Sequence, residues 1–197
     1  MLVLIRHGES TGNASGLLVG RSDLLLTELG HRQAVAVGRA LDAVGEVRSS
    51  PLRRALDTAR ALGVDGPVVP DERWVEMDYG QLEGRPVADV PPEVWGAWRT
   101  DPDFRPAGGE SLRDVETRVA EACEELFAAD GLGRSDSRDV VVVSHVSPIK
   151  AAVAWVLRTE VTVSTRLHLS NASLTRIGWG RSGPVLHTYN DLPAAGR

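Results

Sequence analysis

Two histidines close the two most apolar runs of the chain. MLVLI, residues 1–5, leads directly into Arg6 and His7, and VVVV, residues 140–143, leads through Ser144 into His145. A continuous apolar run bounded in this way reads as a strand buried on both faces, as parallel strands are. Parallel strands end at one edge of their sheet, and ligands bind beyond that edge. If the two strands are neighbours, His7 and His145 emerge together although they are far apart in sequence. One such histidine is ordinarily a satisfied loop residue; two, each closing a fully apolar strand, point to a site. Arg6 adds a guanidinium, always charged and forked to suit a carboxylate or a phosphate. The first expectation is therefore an anion site with an imidazole in it.

The elements that must hold these residues alternate between strands and helices. Residues 27–44 read as a helix with Thr27 as N-cap and with Leu29, Ala34, Val37 and Leu41 on one side. A short strand follows at Glu46–Ser49, and Pro51 is expected to begin a second helix, PLRRALDTARAL. Residues 67–69 are a short strand, and 74–90 are irregular, punctuated by Gly80 and Gly84. Pro91 and Pro92 start a short helix through Trp95 and Trp98. Residues 111–129 form a long amphipathic helix, 131–137 a loop, and Asp139–Ser144 the second buried strand. Pro148 is expected to start a helix through Leu157. Residues 172–179 and 184–189 read as a closing pair of strands around RSGP. This order implies an α/β fold of three layers, with a largely parallel central sheet flanked by helices in a single domain over residues 1–197.

Five segments, in order, resemble the histidine phosphatase superfamily, the phosphoglycerate-mutase-like fold: LIRHGESTGN at 4–13, SPLRRALDTA at 50–59, EMDYGQLEG at 76–84, GGES at 108–111 and VVVVSH at 140–145. The resemblance implies that His7 is the nucleophile that becomes phosphohistidine. It implies that Arg6, Arg54 and His145 form a cationic cradle for the phosphoryl group, with Asn13 a neutral donor and Glu76 the proton donor to the leaving oxygen. Arg54, not Arg53, directly precedes Ala in the family pattern. Neighbours on a helix point about 100° apart, so only one of the two faces the pocket. Gly20, Arg21 and Tyr79 join the substrate-binding candidates.

The residue types suit phosphoryl transfer in their own right. A phosphomonoester dianion needs positive charge around its equatorial oxygens and an in-line nucleophile. Neutral imidazole is a competent nucleophile near pH 7, and neighbouring arginines disfavour its protonated form. A leaving alkoxide needs an acid, which Glu76 supplies if bound phosphate raises its pKa by repulsion. Gly8 is expected to let the backbone approach the ligand. Val146 stands where the family has Gly; its backbone N–H remains a candidate donor to the phosphate.

Hydrolysis is favoured over the alternative, a cofactor-dependent phosphoglycerate mutase. The mutases' ERHYG is EMDYG here, Val87 stands where a substrate lysine would fall, and no paired arginines precede GGES. Selectivity is expected in Arg85–Arg105, with Trp95 and Trp98. A further alternative is a non-catalytic phospho-ligand binder, which would need neither nucleophile nor acid. With 5 His, one Cys and no HExxH or CxxC, no metal and no other cofactor are expected. A net charge of −5 argues against a nucleic-acid partner. No run approaches a membrane span, and the lone Cys123 fits a reducing cytoplasm. The expected partner is a small phosphorylated substrate, and nothing excludes a homodimer.

Overall fold

The computed structural model describes residues 1–129, Leu132 and residues 138–193. Six strands, β1 (Leu2–Arg6), β2 (Val44–Ser49), β3 (Val68–Pro70), β4 (Asp139–Ser144), β5 (Leu174–Gly180) and β6 (Gly183–Asp191), form one sheet in the order β3-β2-β4-β1-β5-β6. The first four are mutually parallel, whereas β5 and β6 run antiparallel beside β1. Helices α1 (Thr11–Ala14), α2 (Glu28–Gly38), α3 (Arg53–Ala61), α4 (Pro92–Thr100), α5 (Leu112–Ala129) and α6 (Val146–Leu157) connect them.

β1 and β4 carry no polar alternation because both faces of the sheet are covered. Leu2 and Leu4 pack with Val140 and Val142 against the α5–α6 side, together with Val115, Val119, Ile149 and Ala152. Val3 and Ile5 pack with Val141 and Val143 against Val37, Ala55 and Ala59 of α2 and α3. This is the expected three-layer arrangement. In the register, Arg6 lies opposite Ser144. The next residue of each strand is a histidine, so adjacent parallel strands deliver His7 and His145 to the same edge.

Three helix boundaries differ from the sequence reading. α2 stops at Gly38, six residues short of the expected end, because the chain must turn back to reach β2; there a Cβ on Gly38 would lie 1.9 Å from the Leu62 carbonyl oxygen. α3 starts at Arg53 and not at Pro51, because the Arg53 N–H donates to Asp23 Oδ1 at 2.6 Å and that carboxylate closes the helix end. α6 starts at Val146, directly after His145 in extended backbone, and Pro148 occupies its third position, where its missing N–H costs nothing. The expected loop at 131–137 lies outside the described residues apart from Leu132.

Candidate active site

His7 is held in one tautomer. Its Nδ1 lies 2.7 Å from the Gly8 carbonyl oxygen, which can only accept, so Nδ1 carries the proton. Its Nε2 is then a lone pair, and the Arg54 Nε–H donates to it at 3.2 Å. Burial, reinforced by Arg54 and Arg6, holds the imidazole well below its ordinary pKa of 6.5. His7 is thus a neutral base with its reactive nitrogen turned toward a guanidinium.

Arg54 itself is fully buried and aimed by backbone. Its Nη1 and Nη2 donate to the carbonyls of Ser22 at 2.7 Å and Gly20 at 2.8 Å. Thr58, one turn on, donates to the Arg54 carbonyl and accepts from the Gly8 N–H, tying α3 to the end of β1. Arg53, by contrast, is exposed and pairs with Asp57 of its own helix. Adjacency before Ala therefore selected the arginine that faces the pocket.

Arg6 donates through Nη1 to the Leu169 carbonyl at 2.6 Å, and burial draws its pKa down to about 10. His145 sits behind His7, ring centroids 5.0 Å apart, with Nε2 2.7 Å from Ser50 Oγ. Arg6 Nε and His145 Nδ1 are buried without a hydrogen-bond partner among the described residues. Two buried polar atoms beside His7 are thus unsatisfied within the protein. Burial, Arg54 and His7 also hold His145 well below 6.5, so it is a neutral ring in this state and not the cation expected from the sequence.

Asn13, expected as a neutral donor, lines the cavity. Its Oδ1 accepts from the Ser10 N–H, the Ser10 hydroxyl and Asn171 Nδ2, which leaves its own NH₂ to face the pocket that it lines.

Glu76 is buried, with its carboxyl group clasped by backbone. Met77 N–H donates to Oε1 at 2.7 Å, Val146 N–H to Oε2 at 3.0 Å and Ser147 N–H to Oε1 at 3.1 Å. The Val146 N–H therefore serves Glu76 and not the phosphate, which corrects the expectation for that position. The valine side chain lines the pocket without closing it.

Arg6, His7, Asn13, Arg54 and Glu76 line a cavity of about 350 Å³. Tyr79 lines it and places its hydroxyl 3.3 Å from Ser147 Oγ. Trp95 and Trp98, 5.2 Å apart edge to face, wall it from α4, and Val87 lines it too, so the Arg85–Arg105 segment does shape the pocket. Four candidates fall outside the cavity lining: His145, which lies against the His7 ring, and Gly8, Gly20 and Arg21. Gly8 backs onto α2, where a Cβ would lie 2.3 Å from the Gly30 carbonyl oxygen, so its glycine serves helix packing and not ligand approach. Gly20 acts behind the site, its carbonyl aiming Arg54. Arg21 turns away to pair with Glu110 at 3.0 Å.

A family profile for the histidine phosphatase superfamily (branch 1) matches residues 2–192. The chain belongs to the histidine phosphatase superfamily. Among curated members, it is 38% identical over 184 residues to the bifunctional protein Rv2228c of Mycobacterium tuberculosis, covering 88% of this chain but 49% of that protein. The chain thus spans about half the length of the first curated relatives it matches. It is 37% identical over 187 residues to the glucosyl-3-phosphoglycerate phosphatase of the same species, covering 89% and 84% of the two chains. A solved mycobacterial glucosyl-3-phosphoglycerate phosphatase superposes with a TM-score of 0.86 at 35% identity, covering 96% of this chain and 98% of that one. A phosphoserine phosphatase mutant from Entamoeba histolytica superposes with a TM-score of 0.83 at 28% identity, covering 96% and 95%.

Several residues of this candidate site escaped sequence reasoning. Asn171 donates to the His7 carbonyl at 3.3 Å and to Asn13, although NAS at 171–173 reads only as a glycosylation pattern. Ala172 N–H donates to the carbonyls of Arg6 and His7 from a left-handed backbone, φ 55°. Ser147, Lys150, Ser164 and Thr165 line the cavity. A signal for the α6 pair existed: with the helix starting at 146, positions 146, 147 and 150 share one face.

Proposed function

We propose that this chain is a phosphomonoesterase that hydrolyses a small phosphorylated metabolite, without a metal ion, through a phosphohistidine on His7. The observation that carries this reading is the locked His7 tautomer, its Nε2 lone pair on the cavity floor with its proton held at Gly8. The phosphoryl oxygens would take the donors of Arg6, Arg54 and Asn13 and the orphaned Nδ1 of His145. Attack by Nε2 forms the N–P bond as the P–O bond to the alcohol breaks, and Glu76 delivers a proton to the departing oxygen. Water, activated by the same carboxylate, then returns phosphate and frees the ring. The named glucosyl-3-phosphoglycerate and phosphoserine phosphatases among the relatives support hydrolysis of a small phosphate ester.

The mutase reading has support from a 34% identical relative, the probable phosphoglycerate mutase GpmB of Cronobacter sakazakii. Val87 on the cavity wall weighs against it, since an apolar side chain stands where a substrate lysine would fall. No described helix is long and apolar enough to cross a membrane; we assign the protein to the cytoplasm on its lone cysteine.

The test is hydrolysis of an aryl phosphate with chelator present. Turnover that persists with chelator and vanishes in His7→Ala is the expected result. Undiminished turnover in His7→Ala overturns the covalent route, and phosphoglycerate interconversion outpacing phosphate release supports the mutase.

A further inference from the structure

Ser50 follows β2 as His145 follows β4, and the two side chains meet. Ser50 is fully buried. Its N–H donates to the Val143 carbonyl at 2.9 Å, and its carbonyl accepts from the Ser49 hydroxyl at 2.8 Å. Its own hydroxyl oxygen accepts from the Leu52 N–H at 3.3 Å and lies 2.7 Å from His145 Nε2. A hydroxyl also has a proton to give. Among the described residues, His145 Nε2 is the one atom bonded to that oxygen which can accept it.

The His145 ring likewise has one proton to place. Burial, and then Arg54, His7, Arg6 and Arg118, hold it well below 6.5, so it is neutral and protonated at Nδ1 or at Nε2. A proton on Nε2 would point at the Ser50 oxygen. The Ser50 hydroxyl proton would then lack an acceptor, and the Nδ1 lone pair would be unmatched as well. With the proton on Nδ1, the Ser50 O–H donates to Nε2, and of the pair only the Nδ1–H stays unsatisfied within the protein. One unmatched group is favoured over two, because each carries the desolvation penalty of a buried polar atom. The two ring nitrogens point to opposite sides, so this N–H is directed away from Ser50.

Resting on the phosphatase reading, we propose that Ser50 is a positioning residue: its hydroxyl donates to His145 Nε2 and fixes the ring as the Nδ1–H tautomer, a neutral donor to the phosphoryl group. Both histidines of the site then carry their proton on Nδ1 and use the ring differently. His7 keeps its proton against the Gly8 carbonyl and attacks through Nε2. His145 is anchored through Nε2 and offers its N–H to a phosphoryl oxygen.

Ring ¹⁵N chemical shifts from long-range ¹H–¹⁵N spectra at pH 7.5 report the tautomer directly, with His145 assigned by its absence in His145→Asn. Nδ1 is expected to be protonated and Nε2 bare, and Ser50→Ala should mix the two tautomers. Calorimetry with inorganic phosphate should show about tenfold weaker binding to Ser50→Ala, with most of the loss recovered in Ser50→Thr. His145→Asn sets an amide donor near the Nδ1 position and His145→Gln near Nε2, so the Asn variant should bind phosphate more tightly than the Gln variant. An Nε2–H ring in the unsubstituted protein overturns the proposal, as does equal or reversed binding by the His145 pair. So does a Ser50→Ala protein that loses phosphate affinity with its tautomer unmoved, since the hydroxyl then acts only through the Leu52 N–H and the start of α3. If Ser50→Ala does not fold, the unsubstituted spectrum and the His145 pair decide the matter. Hydrolysis through His7 with His145 in the Nε2–H form removes the tautomer lock and keeps the phosphatase; an Nδ1–H ring without turnover of any ester removes the phosphatase and keeps the lock.

Discussion

The two ends of the cavity are built by different means. At the inner end, Arg6, His7 and Arg54 are each aimed by a main-chain carbonyl: those of Leu169, Gly8, and Ser22 with Gly20. Their carriers are β1 and α3, packed on the covered middle of the sheet. At the outer end, Trp95 and Arg99 of α4 and Lys150 of α6 touch few polar groups. Main-chain carbonyls do not change when side chains do. The inner end therefore holds one geometry through sequence change, whereas the outer end can be retuned one side chain at a time. Such a division suits a fold that keeps one reaction and varies its alcohol.

This contrast is open to attack in descending order of effect. His7→Ala should lower turnover of any ester by about 10⁴-fold or more, read by phosphate release, since no other group can accept the phosphoryl. Arg54→Lys should cost about 10²-fold or more in kcat despite keeping the charge, because one ammonium cannot replace three directed N–H bonds. A loss below tenfold would show the inner end to be less tightly specified than described. Glu76→Gln should cost about 10²–10³-fold on an alkyl phosphate and much less on an aryl phosphate, whose leaving group needs no proton. Trp95→Ala, at the outer end, should change KM by about tenfold or less with kcat nearly kept; an equal fall in both would erase the distinction.

Two stability measurements probe the inner end without substrate. His7 and His145 have folded pKa values well below 6.5, so the unfolded chain takes up protons first as pH falls. Stability is fully present above about pH 6.5 and is lost below it, at about 1.4 kcal/mol per pH unit for each proton. Denaturant midpoints at pH 7.5, 6 and 5 should follow that slope, and replacing either ring should flatten it. Gly8→Ala drives a methyl into the Gly30 carbonyl and should cost about 1–3 kcal/mol, seen as a lower melting temperature.

The same division explains what could be read from the chain. β1 and β4 were legible because burial on both faces leaves no alternation, and their shared edge followed from parallel pairing. Arg54 was legible through its neighbours in sequence. Gly8 was misjudged because its constraint comes from Gly30, a contact without side chains that no local pattern reveals. Arg21 was misplaced because Glu110, distant in sequence, turns it outward. Lys150 was missed because its aim depends on where α6 begins, and Pro148 suggested a start two residues late. Local spacing encodes which residues stand on an element; the partners that aim them come from elsewhere in the chain.

The Gly8 carbonyl has a further consequence, for the regiochemistry of the proposed intermediate. Imidazole offers two nitrogens to phosphorus, and they give isomers that differ in hydrolytic lifetime and in ³¹P chemical shift. With Nδ1 bonded to a carbonyl that belongs to the next residue, only the tele isomer can form without breaking the turn. A single peptide oxygen thereby makes an ambident nucleophile act at one atom, and any trapped phosphoenzyme should consist of that isomer alone.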